Sequence, residues 1–523
     1  MDNSIFKSLT LGVTFKKRKL DKDPVKAKIE VFKEDSDPEI VDSSTSIKKK
    51  RKKLSEEYLR CKNLEETNKL CKKHHINVKG CVEKVKPVES FQELFDRFPL
   101  NLQLVDNIKN FKYETPTPVQ MQVLPLFLEG KSLKVVAPTG SGKTLAFVAP
   151  LIQNLLDDRK LASDESNQIE SIILVPTREL ASQILSVTTR LCYETGIRAH
   201  IITSTNDDHM KNFHKKKTNI LISTPLKLVH FIKSNAMKLN QVKWIIIDEV
   251  DKLFEESNHG FKEDLDQILA ACSNEKRKFA LFSATTNKEM TPFVHENLKE
   301  FATVNISPNI PTSSVEQELK YVGMESAKLL AVREIFREGV SPPVLIFVQS
   351  KDRAKQLFSE LMFDGLNIDI IHSDRSQKER EEVYKKFREG RIWVLICTEL
   401  MSRGIDFRDV MMVVNFDLPT SVYSYIHRVG RCGRGNKTGK AITFYTNDDK
   451  KGILRDIAKL VEKSGSHVEG FLLQLKKSTK KERLALLKKA PKRKNISNKI
   501  VVNKRKSKTW KKNLKKKINE DDD

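Results

Sequence analysis

Cysteine is scarce in this 523-residue chain, and it falls in no pairing pattern. There are seven cysteines, spread from Cys61 to Cys432, and none forms a Cys-x-x-Cys pair. Cys61, Cys71 and Cys81 recur near His74 and His75, but at spacings wider than those of zinc sites. Free thiols in a reducing compartment are the expectation. No apolar run reaches the roughly eighteen residues needed to span a membrane. The start, MDNSIFKSLT, lacks the apolar stretch of a secretory signal. A nuclear or cytosolic chain without a membrane partner follows. Apolar residues make up only 39%, low for one compact globule, so packed domains joined to solvated flanks are expected.

Acidic residues are also outnumbered. Lys and Arg total 95 against 69 Asp and Glu, a net charge of +26. Such a balance favours a polyanionic partner, most often nucleic acid. The charge is unevenly placed. Residues 48–53 read Lys-Lys-Lys-Arg-Lys-Lys, which suits nuclear import, a nucleic-acid patch or a merely solvated tail. Residues 476–523 hold 20 Lys/Arg and 5 Asp/Glu, a net of +15. Apart from Leu484, Leu486, Leu487 and Trp510, they offer little to bury, so a separable tail that holds nucleic-acid phosphates is expected.

Between these ends, short Val/Ile/Leu-rich runs alternate with longer amphipathic stretches. Lys134–Val136, Ile172–Val175, Ile220–Ile222, Trp244–Ile247 and Phe279–Phe282 form one set. Val344–Val348, Ile368–Ile371, Trp393–Cys397, Met411–Val414 and Ala441–Phe444 form a second. Nearly continuous apolar runs suit strands buried on both faces, and the alternation implies parallel βαβ units. The expected fold is α/β, with two doubly wound parallel-sheet lobes and disordered basic N- and C-terminal extensions. The boundaries are 1–88 for the N-terminal extension, 89–308 for the first lobe, 309–318 for a linker, 319–475 for the second lobe and 476–523 for the tail.

The segment Ala137-Pro138-Thr139-Gly140-Ser141-Gly142-Lys143-Thr144 follows a strand and precedes a helical stretch, the context a phosphate loop requires. Its small residues let backbone N–H groups wrap phosphates. Lys143 is placed to reach the β/γ-phosphates and Thr144 to bind Mg²⁺. Asp248-Glu249-Val250-Asp251 lies at a strand's carboxyl end, where doubly wound sheets bind ligands. Asp248 suits Mg²⁺ held through water, and Glu249 suits polarisation of an attacking water. ATP and Mg²⁺ are the expected cofactors.

Together these motifs resemble the DEAD-box RNA helicases over roughly residues 91–475, in that family's order. The resemblance implies two RecA-like lobes and an RNA-stimulated ATPase. It places Phe91, Tyr113 and Gln120, within Pro116-Thr117-Pro118-Val119-Gln120, at the adenine, and Asp406 near the ribose. Ser283 and Thr285 would couple hydrolysis to strand separation, with Asp251 and His427. Thr177, Arg178, Thr224, Pro225, Gln349, Ser350, Gln377, Arg380 and Thr398 would face RNA. In His427-Arg428-Val429-Gly430-Arg431-Cys432-Gly433-Arg434, Arg431 and Arg434 would reach the γ-phosphate and stabilise transition-state charge, while His427 and Arg428 would link the cleft to RNA.

The chain departs from the family pattern at several positions. Ala137 stands for the loop's first glycine, Val250 for an alanine, Glu399 for an aspartate, Cys432 for a threonine and Lys112 for a glycine, while Ser204–Asp207 replaces a glycine pair. Lys73–Gly80 and Lys252–Glu255 resemble a nucleolar branch that acts on small-subunit pre-ribosomal RNA. That resemblance implies a nuclear, nucleolar monomer working with protein cofactors of ribosome assembly. Two other readings stay open: an ATP-gated RNA clamp with little turnover, and a DNA helicase.

Overall fold

The computed structural model describes residues 63–80, 85–162, 168–202, 217–235, 237–254, 261–285, 290–298, 300–306, 315–362, 364–398, 407, 410–433, 438–479, 482, 491, 493, 495 and 496. Among these, the strands build two sheets. The first contains β1 (Ile76–Gly80), β2 (Ser132–Val136), β3 (Ser171–Leu174), β4 (Ala199–Ile201), β5 (Ile220–Ser223), β6 (Trp244–Ile247), β7 (Lys278–Ser283) and β8 (Phe301–Ile306). Its order is β1-β8-β2-β7-β6-β3-β5-β4. The second contains β9 (Val315–Tyr321), β10 (Val344–Val348), β11 (Ile368–Ile371), β12 (Val394–Thr398), β13 (Met412–Asn415) and β14 (Gly439–Tyr445), in the order β11-β12-β10-β13-β14-β9. All neighbours run parallel except β1, which is antiparallel to β8.

The apolar runs explain this architecture. Successive strand residues point to opposite faces, and here both faces are covered. Ile173, Ile222 and Ile246 join one core of the first sheet, while Ile172, Leu221, Ile245 and Ile247 join the other. Leu345 and Phe347 of β10 face one core of the second sheet, and Val344, Ile346 and Val348 face its opposite. Strand order then sets the chemistry. β7 lies between β2 and β6, so Ser283 at its end stands between the phosphate loop and the acidic motif.

Three expectations need correction. The N-terminal extension was expected to be largely disordered up to residue 88, yet residues 63–73 form a helix and β1 adds an edge to the first sheet. Of β1 only Ile76 is buried, so its sequence carries little apolar signal. Residues 315–318, expected to be linker, belong to β9, a polar edge strand that pairs with β14. The tail was expected to bury little, yet the Arg493 side chain is 6% exposed and Ile496 packs into an apolar core with Leu329 and Ile335. Ion pairing holds Arg493 there, which composition does not reveal. The linker stretch 309–314 and most of the tail lie outside the described residues.

Candidate ATP and RNA site

The phosphate loop folds against its own motif partners. Gly140 and Gly142 have φ of +76° and +85°, a backbone region that favours glycine. A Cβ on Gly142 would stand 2.5 Å from Gln120 Nε2. Gln120 ties the loop to the preceding motif: its Nε2 donates to Gly142 O at 3.1 Å and its Oε1 accepts from Thr117 N at 3.0 Å. Thr117 Oγ1 donates to Ser141 O at 2.7 Å. An amide offers two donors and two acceptor sites, so each end of Gln120 retains capacity for an adenine edge. Phe91 is buried, whereas Tyr113 is half exposed and stacks on Phe111 at 5.6 Å. Lys143 Nζ donates to Ala137 O at 2.8 Å and Pro138 O at 3.1 Å, folded back over the loop it would serve.

The acidic motif is buried beside it. Burial pushes the Asp248 carboxyl up to about 6, although Lys143 pulls against this. Thr144 and Asp248 offer oxygen donors of the kind a divalent cation takes, and such an ion would offset the burial cost of the Asp248 charge, so the donor set fits. Glu249 adopts φ +51° at the start of the short helix Val250–Leu253. Burial acts to raise its carboxyl, but Lys252, His427 and Arg431 hold it at about 2. Lys252 Nζ lies 3.3 Å from Glu249 Oε2, with its side chain 2% exposed. Glu249 is thus held as the ionised carboxylate.

Asp251 connects the two lobes. Its Oδ2 accepts from Thr285 Oγ1 at 2.7 Å and from Thr285 N at 3.1 Å, and it lies 3.5 Å from His427 Nε2 of the second lobe. Ser283 Oγ donates to Thr285 O at 2.5 Å, and Ser283 O accepts from Ala137 N at 3.0 Å. A continuous chain therefore runs from the phosphate loop through Ser283, Thr285 and Asp251 to His427. Nearby, Thr139 Oγ1 donates to Gly430 O at 3.3 Å. Arg431 is buried, with its Nε donating to His427 O at 3.2 Å. Arg428 turns the other way: its Nη1 donates to Asp417 O at 3.0 Å.

Most of the expected RNA residues sit at strand ends or helix starts. Thr177 caps the helix Arg178–Leu191, accepting from Leu180 N, and Arg178 is exposed. Thr224 and Pro225 open the helix Pro225–Lys233. Thr398 ends β12. Gln377 is exposed and pairs with Glu381 along its own helix. Arg380 instead forms an ion pair with Glu179 of the first lobe. Gln349 is held by Pro491 and Arg493. Asp406 and Arg434, together with Glu399 and Ser204–Asp207, lie outside the described residues.

The DEAD/DEAH box helicase family matches residues 117–293, and the helicase conserved C-terminal domain matches residues 327–436. The chain is 41% identical over 454 residues to a probable ATP-dependent RNA helicase, DDX52, of Bos taurus, covering 86% of this chain and 75% of that protein. The chain belongs to the DEAD-box RNA helicases. It is 36% identical over 431 residues to the ATP-dependent RNA helicase ROK1 of Saccharomyces cerevisiae, covering 80% of this chain and 75% of that one. S. cerevisiae Dbp5 bound to RNA and ADP BeF3 superposes with a TM-score of 0.61 at 27% identity, covering 73% of this chain and 95% of that structure. The DEAD-box helicase Mss116 bound to ssRNA and UDP-BeF gives 0.64 at 25%, covering 71% and 78%.

Several departures from the family pattern now have a physical setting. Lys112, standing for a glycine, has φ +56°, the left-handed region where a side chain is strained. Val250 is fully buried in an apolar core. Cys432 is buried with its Sγ 3.2 Å from Val429 O, a weak substitute for a hydroxyl. Lys252 and Arg493 were not singled out as site residues. Lys252 had a visible signal, a cation three positions after the motif's glutamate; Arg493 had none.

Proposed function

We infer that this DEAD-box RNA helicase couples ATP hydrolysis to local RNA unwinding or RNA–protein remodelling through closure of its lobes. The observation that carries this reading is the shared carboxylate of Asp251, which holds Thr285 of the first lobe at 2.7 Å and meets His427 of the second at 3.5 Å. The same approach brings Arg431 beside Glu249. Glu249, ionised and buried, accepts the proton of the attacking water. Lys143 and Arg431 balance charge on the transferring phosphoryl group, and Arg434 is proposed to join them. Thr144 and Asp248 would hold Mg²⁺, which when bound neutralises phosphate charge. Phe91, Tyr113, Gln120 and Asp406 are assigned to the adenosine, and Thr177, Arg178, Thr224, Pro225, Ser350, Gln377 and Thr398 to RNA.

Because the assembled site needs both lobes, hydrolysis is gated by whatever stabilises closure, and RNA bridging the lobes does so. We further assign the protein to the nucleus and nucleolus, as a monomer acting on pre-ribosomal RNA with assembly cofactors. The basic segments and the likeness to a nucleolar branch support that assignment. The test is phosphate release from the full chain with no nucleic acid, with single-stranded RNA and with matched DNA, alongside strand separation of a short RNA duplex. Turnover that rises with RNA and not with DNA is expected. Little turnover even with RNA bound, or RNA binding with no unwinding, would replace this reading with that of a clamp, and turnover that ignores RNA would overturn RNA gating.

A further inference from the structure

We propose that Arg493, far along the basic tail, is a positioning residue that fixes the RNA-facing end of β10 through Gln349. Arg493 is held on four sides. Its Nη2 donates to Asp449 Oδ1 at 2.6 Å, its Nη1 to Glu325 Oε2 at 3.1 Å and its Nε to Gln349 Oε1 at 2.8 Å, and Nε also lies 3.5 Å from Asp417 Oδ1. The side chain is 6% exposed. A buried guanidinium persists only where carboxylates and acceptors match its planar fork of donors, and this socket does so.

Cations from outside the tail fill only part of the socket. Asp417 accepts from Arg353 at 2.7 Å on each oxygen and pairs with Lys328 at 3.0 Å. Glu325 pairs with the same two cations. Asp449 is bonded by Thr446, and Arg493 is its one cationic partner among the described residues. Burial works to raise the Asp417 carboxyl, yet Lys328, Arg353 and Arg493 together hold it below the usual range. Glu325, Asp417 and Asp449 stand many positions apart in sequence; Arg493 joins all three.

Gln349 receives the consequence. Its Oε1 accepts from Arg493 and its Nε2 donates to Pro491 O at 2.7 Å, while its backbone N donates to Asp417 Oδ2 at 2.9 Å. Both ends of the amide therefore engage the tail, and the family's RNA position at Gln349 serves to hold protein. Ser350, next in the chain, accepts from Arg353 N at 3.3 Å, so its place is set by the same cluster. Ile496 anchors the far side: it is buried, and its N donates to Gln356 Oε1 at 3.0 Å. The segment thus acts as part of the second lobe, and its role rests on the RNA-helicase reading above.

The experiment uses the full chain carrying Arg493→Ala, Arg493→Lys, Gln349→Ala or the Ala pair, with RNA affinity measured beside a non-hydrolysable ATP analogue across a salt series. Arg493→Ala should weaken RNA binding about tenfold or more, the scale of one lost charge-assisted hydrogen bond, by the same factor at every salt. KM for ATP without RNA should not move. Arg493→Lys should recover part of the loss, and the Ala pair should be no worse than its weaker member. Direct contact with RNA would instead flatten the log–log salt slope by about 0.7, one phosphate's share, and would overturn the proposal. So would unchanged RNA affinity in a folded Arg493→Ala protein, or additive losses in the pair. If Arg493→Ala does not fold, Arg493→Lys and Gln349→Ala decide by the same criteria. A parent protein whose RNA binding gains nothing from the ATP analogue would overturn the functional reading itself.

Discussion

Replacing Lys252 with Met should bring the acid limb of the ATPase pH profile into measurable range. Lys252 Nζ and Glu249 Oε2 are 3.3 Å apart in a buried setting. Unit charges at that distance attract by about 5 kcal/mol at an effective dielectric of about 20. Each tenfold step in protonation is worth about 1.4 kcal/mol, so the pair is worth about three and a half such steps, and about three once relaxation is discounted. In the parent, burial acts to raise the Glu249 carboxyl while Lys252, His427 and Arg431 hold it at about 2. A carboxyl depressed in this way is ionised well above that value, and the activity that needs its charge is lost only as pH falls through it. Without Lys252 the burial penalty remains and the strongest attraction goes, so the loss begins at higher pH. His427 moves upward in the same variant, because burial and Lys252 both keep it low. The assay is ATP turnover at saturating RNA between pH 5 and 8 for the parent, Lys252→Met and Lys252→Arg, with melting curves at each pH. Lys252→Met should retain about half or less of its pH 7.5 rate at pH 5, a loss of the size one such shift produces. The parent and Lys252→Arg should share one shape. Superposable profiles for parent and Lys252→Met would refute the assignment of Lys252 as the group that keeps the base ionised.

Other substitutions test neighbouring contacts. A Cβ on Gly430 would stand 2.4 Å from Thr139 Oγ1, so Gly430→Ala should slow single-turnover hydrolysis, and adding Thr139→Ala should restore part of the rate; a Gly430→Ala enzyme at parent speed would mean the lobes do not meet there during turnover. Thr285→Val removes the 2.7 Å bond to Asp251 and should lower strand separation more than RNA-stimulated ATPase, whereas equal losses would mark a structural role only. Lys112→Gly relieves a backbone at φ +56° and should stabilise the fold by up to about 1 kcal/mol, read as a higher Tm; a fall in Tm would show that the lysine side chain contributes more than the strain costs.

What the sequence revealed follows what local pattern encodes. Fully buried strands such as β3, β6 and β10 are nearly pure Val, Ile, Leu and Phe, so each announces itself. Edge strands do not: β1 and β9 bury one face at most and read as polar loop. Lys143, Asp248 and Glu249 could be proposed from sequence because phosphate and acid–base chemistry demand fixed residue types at fixed spacing, and the structure brings Lys143 and Asp248 close enough to influence each other. The pairing of Arg380 with Glu179 and of Arg493 with Glu325 spans long separations, and nothing local marks either partner. Charge also misled: a tail of net +15 was expected to meet phosphates, while one of its arginines meets carboxylates of its own chain. An ion-pair socket and an RNA tether have the same composition and differ only in what lies opposite.

The lobe contact is arranged so that it can be broken. Asp251 is buried, and a buried carboxylate stripped of its partners would resist exposure of its surroundings by several kcal/mol. Yet its Oδ1 accepts from Lys252 N at 3.1 Å, and its Oδ2 accepts twice from Thr285. When His427 withdraws, Asp251 keeps every one of those bonds, all within the first lobe. Opening therefore leaves no orphaned charge at the hinge of the coupling chain. Glu249 differs, because two of the three groups that hold its carboxyl low, His427 and Arg431, belong to the second lobe, and of these two Arg431 carries the standing charge, since burial and Lys252 keep His427 low. Separation takes from Glu249 the part of its electrostatic support that Arg431 and His427 supply, leaving Lys252 in place, while costing Asp251 little. That asymmetry ties chemistry to closure more tightly than it ties closure to stability, as a motor that must reopen after each hydrolysis requires.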